Sequence, residues 1–163
     1  MLLKNILSFL IVALFLTSCK KDGFGPLTDT RPEIPVTVVN VYDYRPQPTV
    51  RASKAENKIS IVLQIPATTG RTIKEITKVA ASTNYTAVQG TTVGPTGLYT
   101  DIPIPGSGNT ATFTTTIDEY KTKTNTTTTP ASNALLARNF YFVLTLDNNE
   151  VIIPTPVRVW IVD

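Results

Sequence analysis

Two runs in this chain place an apolar residue at every second position. Ile59, Ile61, Leu63 and Ile65 alternate with Ser60, Val62 and Gln64, and Phe140, Phe142, Leu144 and Leu146 alternate with Tyr141, Val143 and Thr145. Successive side chains on a strand point to opposite faces, so each run predicts a strand with one buried side. The signal recurs in short segments broken by Pro, Gly and Asn, at residues 36–42, 72–80, 84–89, 98–104, 110–117 and 157–162. The 28 threonines fit the same picture, because β-branched residues suit a pleated, half-solvated surface. Only residues 131–138 read as helical, and residues 121–130, which hold six of the threonines, read as a solvated loop. Seven or eight short strands with turn signals between them predict an all-β chain folded as a single sandwich over residues 36–163.

The last hairpin allows a finer expectation. Asp147, Asn148, Asn149 and Glu150 separate two strong strands, and asparagine tolerates the positive φ that a two-residue type I′ turn demands. That turn pairs Leu146 with Val151, Leu144 with Ile153, Phe142 with Thr155 and Phe140 with Val157, and continuing by twos puts Val159 and Ile161 on the same inward face. Tyr141, Val143, Ile152, Arg158 and Trp160 then share the outward face. Pro154 and Pro156 cannot donate to a ladder, which makes this segment an edge or the seat of a bulge. A bulge there swaps the faces beyond it, and with them the side on which Trp160 falls.

At the other end, Met1 to Asn5 carries one cation, Lys4, before an eleven-residue apolar run from Ile6 to Leu16 that closes on Thr17, Ser18 and the only cysteine, Cys19. A bilayer-spanning helix needs about 20 such residues. The run therefore reads as a secretory signal over residues 1–18 rather than a permanent span. Residues 19–35 contain Gly23, Gly25, Pro26, Pro32 and Pro35 with little apolar patterning and read as a flexible tether. Cleavage before Cys19 removes Lys4 and no acid, so the formal charge of +3 falls to +2, too little to point to nucleic acid.

The sequence Leu16, Thr17, Ser18, Cys19 resembles the lipobox of bacterial lipoproteins, and the Lys20, Lys21, Asp22 that follow resemble the start of small lipoproteins of the Bacteroidota. That resemblance implies a lipid on the Cys19 thiol and a place on the outer membrane, facing the periplasm or the outside. The strand pattern is similar to the immunoglobulin-like or fibronectin-type sandwiches such lipoproteins carry, which implies an immunoglobulin-like fold but no particular ligand.

Catalytic residue types are scarce. The chain has no histidine, and with Cys19 committed to lipid no thiol is left, so the usual nucleophile–base pairs and a His/Cys zinc site are excluded and no cofactor is expected. Ser107, between Gly106 and Gly108, reads as a turn. Asp101, Asp118, Glu119, Asp147, Glu150 and Asp163 are carboxylates of the type used by glycosidases, and read as surface charge. Exposed rings are the remaining source of recognition: Tyr42 and Tyr44 beside Arg45, Tyr85, Tyr99, Tyr141 and Trp160. Tyr141, Arg158 and Trp160 form the expected outward cluster, in which a guanidinium lies over a ring. The expectation is a lipid-anchored, non-enzymatic binding or assembly module. Its partner would be a glycan, a peptide or an envelope protein, and the proline-marked edge strands offer a place for a partner strand to pair. A small hydrolase using paired carboxylates is the alternative.

Overall fold

Alternation becomes burial on both long runs. In a computed structural model that describes residues 33–163, Ile59, Ile61, Leu63, Ile65, Phe140, Phe142, Leu144 and Leu146 are all fully buried in one core. Cys19, the signal-like run and most of the tether lie outside the described residues. Among the described residues, no helix is long and apolar enough to cross a membrane.

The described residues form eleven strands, β1 (Thr37–Val38), β2 (Val41–Asp43), β3 (Thr49–Ser53), β4 (Ile59–Gln64), β5 (Ile73–Ser82), β6 (Ile104–Pro105), β7 (Thr110–Thr115), β8 (Ala134–Leu135), β9 (Asn139–Leu146), β10 (Val151–Ile152) and β11 (Arg158–Val162), with one α-helix, α1 (Ile117–Thr124). Seven or eight strands become eleven because a bend parts β1 from β2, the prolines part β10 from β11, and β3 and β8 form where no strand was expected. β1, β4 and β7 form one antiparallel sheet. A second sheet has the order β10-β9-β5-β6 and a third β2-β3-β11-β8. These two are joined where Phe140 and Val157 exchange both backbone hydrogen bonds at 2.8 Å. The three sheets pack as an all-β sandwich. Its core is aromatic at the centre: Phe113 on β7 meets Phe140 and Phe142 on β9 at ring-centroid distances of 5.3 and 5.7 Å. Such tilted and edge-on contacts add to the area the rings bury.

The final hairpin departs from the expected register twice. Its loop has three residues rather than two: Leu146 N–H donates to the Glu150 carbonyl at 2.9 Å, and Asn149 takes a left-handed φ of 65°. This is the turn-plus-αL arrangement that closes three-residue hairpins. Leu144 consequently pairs with Ile152, which is 3% exposed, and Ile153 turns to the outer side. Past the loop, the segment holding Pro154 and Pro156 contains one residue more than its partner, and Phe140 regains Val157. The two one-residue changes cancel, so Val157, Val159 and Ile161 face the core and Trp160 faces away.

Three other expectations change. Residues 84–89 are not a strand. Asn84 caps a 3-10 turn, Tyr85–Gln89, its side chain accepting from the Thr86 N–H at 3.0 Å, and this local bond competes with a ladder. Residues 98–104 form no continuous strand: Leu98 bridges Val93, Thr100 bridges Val79, and Ile104 pairs with β5 as the start of β6. The helix lies at Ile117–Thr124 and not at 131–138, where Ala134 and Leu135 pair with β11. Thr116 caps α1, its hydroxyl accepting from the Glu119 N–H at 2.9 Å, and Asn125 ends it with a left-handed φ of 52°. Asp118 and Glu119 are thus first-turn helix residues, where acids favour the positive end of the helix dipole. Arg138 fastens the far end, its guanidinium donating to the carbonyls of Thr124 at 2.9 Å, Ala81 at 3.4 Å and Pro95.

Candidate binding groove

Parallel pairing of β3 with β11 sets Arg51 directly beside Trp160, and antiparallel pairing of β8 sets Leu135 on its other side. Their neighbours Val50, Ala52, Val159 and Ile161 point into the core, so Arg51, Arg158 and Trp160 must point out. Tyr42, Asp43 and Arg45, on β2 and the turn after it, raise one wall of a groove of about 380 Å³ on this face, and Asn133 and Leu135 raise the other.

The charges in the groove are unequal. Arg45 donates to the Asp43 carboxylate through its backbone N–H at 3.2 Å and its Nε at 3.3 Å. That backbone N–H, more than the guanidinium, holds the Asp43 carboxyl below its usual range. Arg51 instead lies over the ring of Tyr42, 3.6 Å from its centroid, while Tyr42 itself is 56% exposed. Arg158 donates from Nη1 to the Arg45 carbonyl at 3.3 Å, an interaction that leaves its charge unneutralised. The groove thus offers oriented guanidinium groups, two rings, and the amide of Asn133.

Of the three residues expected to cluster, the structure brings Arg158 and Trp160 together and puts Tyr141 elsewhere. Tyr141 is on the outer side of β9, but only 6% exposed, with the Tyr85 ring edge-on at 6.3 Å. Ala80, Val88, Leu98 and Val143 complete a second apolar cluster there, beneath the chain that connects β5 to β6. Tyr42, Arg45 and Arg51 take its place in the groove. Tyr42 and Arg45 were legible as a ring beside a cation, whereas Arg51 gave no signal, because only the pairing of distant strands brings it to Trp160.

Asp101 is exposed, and the other chemistry-bearing residues have local partners. Asp118 accepts from Asn57 Nδ2 at 2.8 Å, Glu119 meets Lys123 at 2.9 Å, and Asp147 meets Arg71 at 3.7 Å. Glu150 accepts from Asn148, and Asp163 from the Ser132 hydroxyl. Ser107 sits in a turn, exchanging backbone hydrogen bonds with Thr110 at 2.7 and 3.1 Å. Among the described residues no group of three or more His, Cys, Asp or Glu converges as a metal site would require. No protein family, curated protein or solved structure matches this chain.

Proposed function

We propose that this chain is a lipid-anchored cell-envelope protein, held at Cys19 in the outer membrane, whose sandwich is a non-enzymatic binding or assembly module. The observation that carries the reading is the groove on the β3–β11 face, where Arg51, Arg158, Tyr42 and Trp160 gather on rigid strands. Concave sites with a few oriented polar groups and aromatic walls are where small ligands bind. Asp118, Glu119 and Asp147, by contrast, are engaged separately by Asn57, Lys123 and Arg71 rather than facing one another, which favours binding over acid–base catalysis. The lipobox-like Leu16, Thr17, Ser18 and Cys19 support the anchor.

Two measurements test the proposal. Labelled fatty acid should enter the protein and fail to enter Cys19→Ser; equal labelling of both removes the anchor. For the module, the full chain in detergent should be retarded on gels containing at least one polysaccharide or polypeptide from a panel, with the retardation lost in Trp160→Ala. No retardation by any polymer removes the binding reading, and turnover of a glycan or ester substrate, abolished by replacing a carboxylate, replaces it with the hydrolase.

A further inference from the structure

Resting on that reading, we infer that the groove takes an acidic saccharide, a sugar ring bearing a carboxylate or sulfate, with the oxyanion on Arg51 and Arg158 and the ring on Trp160 and Tyr42. The first ground is local charge. The whole chain has a formal charge of only +3, yet the groove alone collects Arg45, Arg51 and Arg158 against one carboxylate. That carboxylate, Asp43, is engaged by Arg45. Among the described residues the ion pairs are Arg45 with Asp43, Arg71 with Asp147 and Lys123 with Glu119, which leaves Arg51 and Arg158 without a carboxylate partner. A guanidinium presents a planar fork matched to carboxylate and sulfate oxygens, and a site with two such forks whose one carboxylate is already engaged by a third arginine selects an anion.

The second ground separates a saccharide from the other acidic partners. An extended peptide binds a sandwich by adding backbone hydrogen bonds to a free edge. This groove lies on the face of a sheet, where β3 is paired on both sides, by β2 and β11, and β11 on both sides, by β3 and β8. No ladder on the groove floor is open to a peptide; among the described residues the open edges are the outer sides of β2 and β8, short strands of three and two residues. A flat anionic membrane surface fits no better, since Arg51 and Trp160 lie on the two central strands of the sheet, with groove-lining residues of β2 and β8 on either side. A sugar ring is suited to both features: its C–H face packs on an aromatic ring while its hydroxyls and acid lie at the rim, within reach of the guanidinium groups and the Asn133 amide. The volume of about 380 Å³ is at the small end of ligand sites, the scale of one or two sugar residues.

The test is a titration of the full chain in detergent, read by the emission of Trp160, its only tryptophan. The probes are oligogalacturonate, dextran sulfate, neutral dextran and polyglutamate. A saturable change is expected with oligogalacturonate or dextran sulfate, at least about tenfold tighter than with dextran or polyglutamate, and weakened about tenfold or more in Arg51→Gln and Arg158→Gln. Which acidic probe binds better distinguishes the uronate from the sulfated source. Independently of any variant, binding by the native chain should weaken as salt rises from low to high ionic strength, because exposed charge pairs are screened. Equal binding of neutral dextran overturns the inference and leaves the module standing. Polyglutamate binding as tightly as the sugars, or unchanged affinity in both well-folded arginine variants, also overturns it. A native chain that binds no saccharide sinks it too, and retention on the polypeptide gels above then decides whether the module reading survives.

Discussion

The outer sides of β9 and β11 start from the same sequence pattern and end differently. Each strand alternates, each turns one row of apolar residues into the core, and each carries an aromatic residue in the other row, Tyr141 on β9 and Trp160 on β11. Over β9 the connection from β5 to β6 folds back: its 3-10 turn, Tyr85–Gln89, and Leu98 cover Tyr141 and Val143, and Lys78 ties the turn down by donating to the Gly90 carbonyl at 2.9 Å. On the outer side of β11 no such cover lies over Trp160 among the described residues, and the ring is half-buried in an open groove. Period two decides which residues share a face. Whether that face meets solvent depends on where a distant loop is spent.

The difference has a scale set by the core common to both. Phe142 is fully buried against Phe113, and Phe142→Ala should destabilise the domain by about 3–5 kcal/mol, read as a lowered urea midpoint. That is a large part of the stability of an ordinary domain. An unchanged midpoint means that the inward row is wrongly placed. The comparison itself is sharpened by a pair of substitutions. Tyr141→Ala, under its cover, should destabilise by about 3 kcal/mol, the low end for emptying a large aromatic site. Trp160→Ala should destabilise by about 1 kcal/mol, as typical substitutions away from a closed core do, while removing ligand retention. If the two are equally destabilising, the groove is a packed surface and the contrast is broken.

Local signals in the sequence carried the strands and lost the neighbours. Both alternating runs and the 110–117 strand as far as Thr115 were legible because a fixed period assigns a side to every residue. The side of Trp160 was not, because it depends on two one-residue register changes that cancel. The hairpin loop was not, since asparagine serves a two-residue and a three-residue loop alike; Asn149 at a φ of 65° fits either until Glu150 is seen to pair with Leu146. The helix was missed although its signature was present: Thr116 and Glu119 are spaced as a capping box, and Asn125 follows at the exit. Its threonine-rich body masked it. Conversely, residues 131–138 have helix-forming composition, but Ala134 and Leu135 are held extended by β11 and the Arg138 guanidinium is spread over three carbonyls. Arg51 beside Trp160 had no local trace at all, because a parallel pair joins residues more than a hundred positions apart.

A smaller effect asks whether the missed helix is held locally or by the sandwich. Thr116→Ala removes the hydroxyl that satisfies the Glu119 N–H, and should destabilise by about 1 kcal/mol in the same urea assay. No measurable change means that α1 is held by burial of Ile117 and Tyr120 alone, and that its capping signature is incidental.

The smallest effect is expected in acid, and it links the helix to the segment that covers β9. Tyr99, buried in the core, lies on that segment, and its hydroxyl donates to Thr115 Oγ1 at 2.5 Å, since the Thr115 proton is committed to Glu119 Oε2 at 2.8 Å. Glu119 also meets Lys123, whose ammonium lies 4.5 Å from the Tyr99 ring centroid. The hydrogen bond from Lys123, with that from Thr115, holds the Glu119 carboxyl below its ordinary 4.5 despite the opposing effect of burial. A carboxyl depressed in the folded state stabilises the fold above its unfolded pKa, and that contribution is lost as pH falls through the folded value. The midpoint should therefore hold above about pH 5 and decline below 4.5, and Glu119→Gln should flatten part of that decline. Because Glu119 is partly exposed, salt should blunt the effect as well. If Glu119→Gln leaves the acid limb unchanged, the chain from Tyr99 to Lys123 adds nothing to the cover, and burial of Tyr141 rests on apolar contact with Val88 and Leu98 alone.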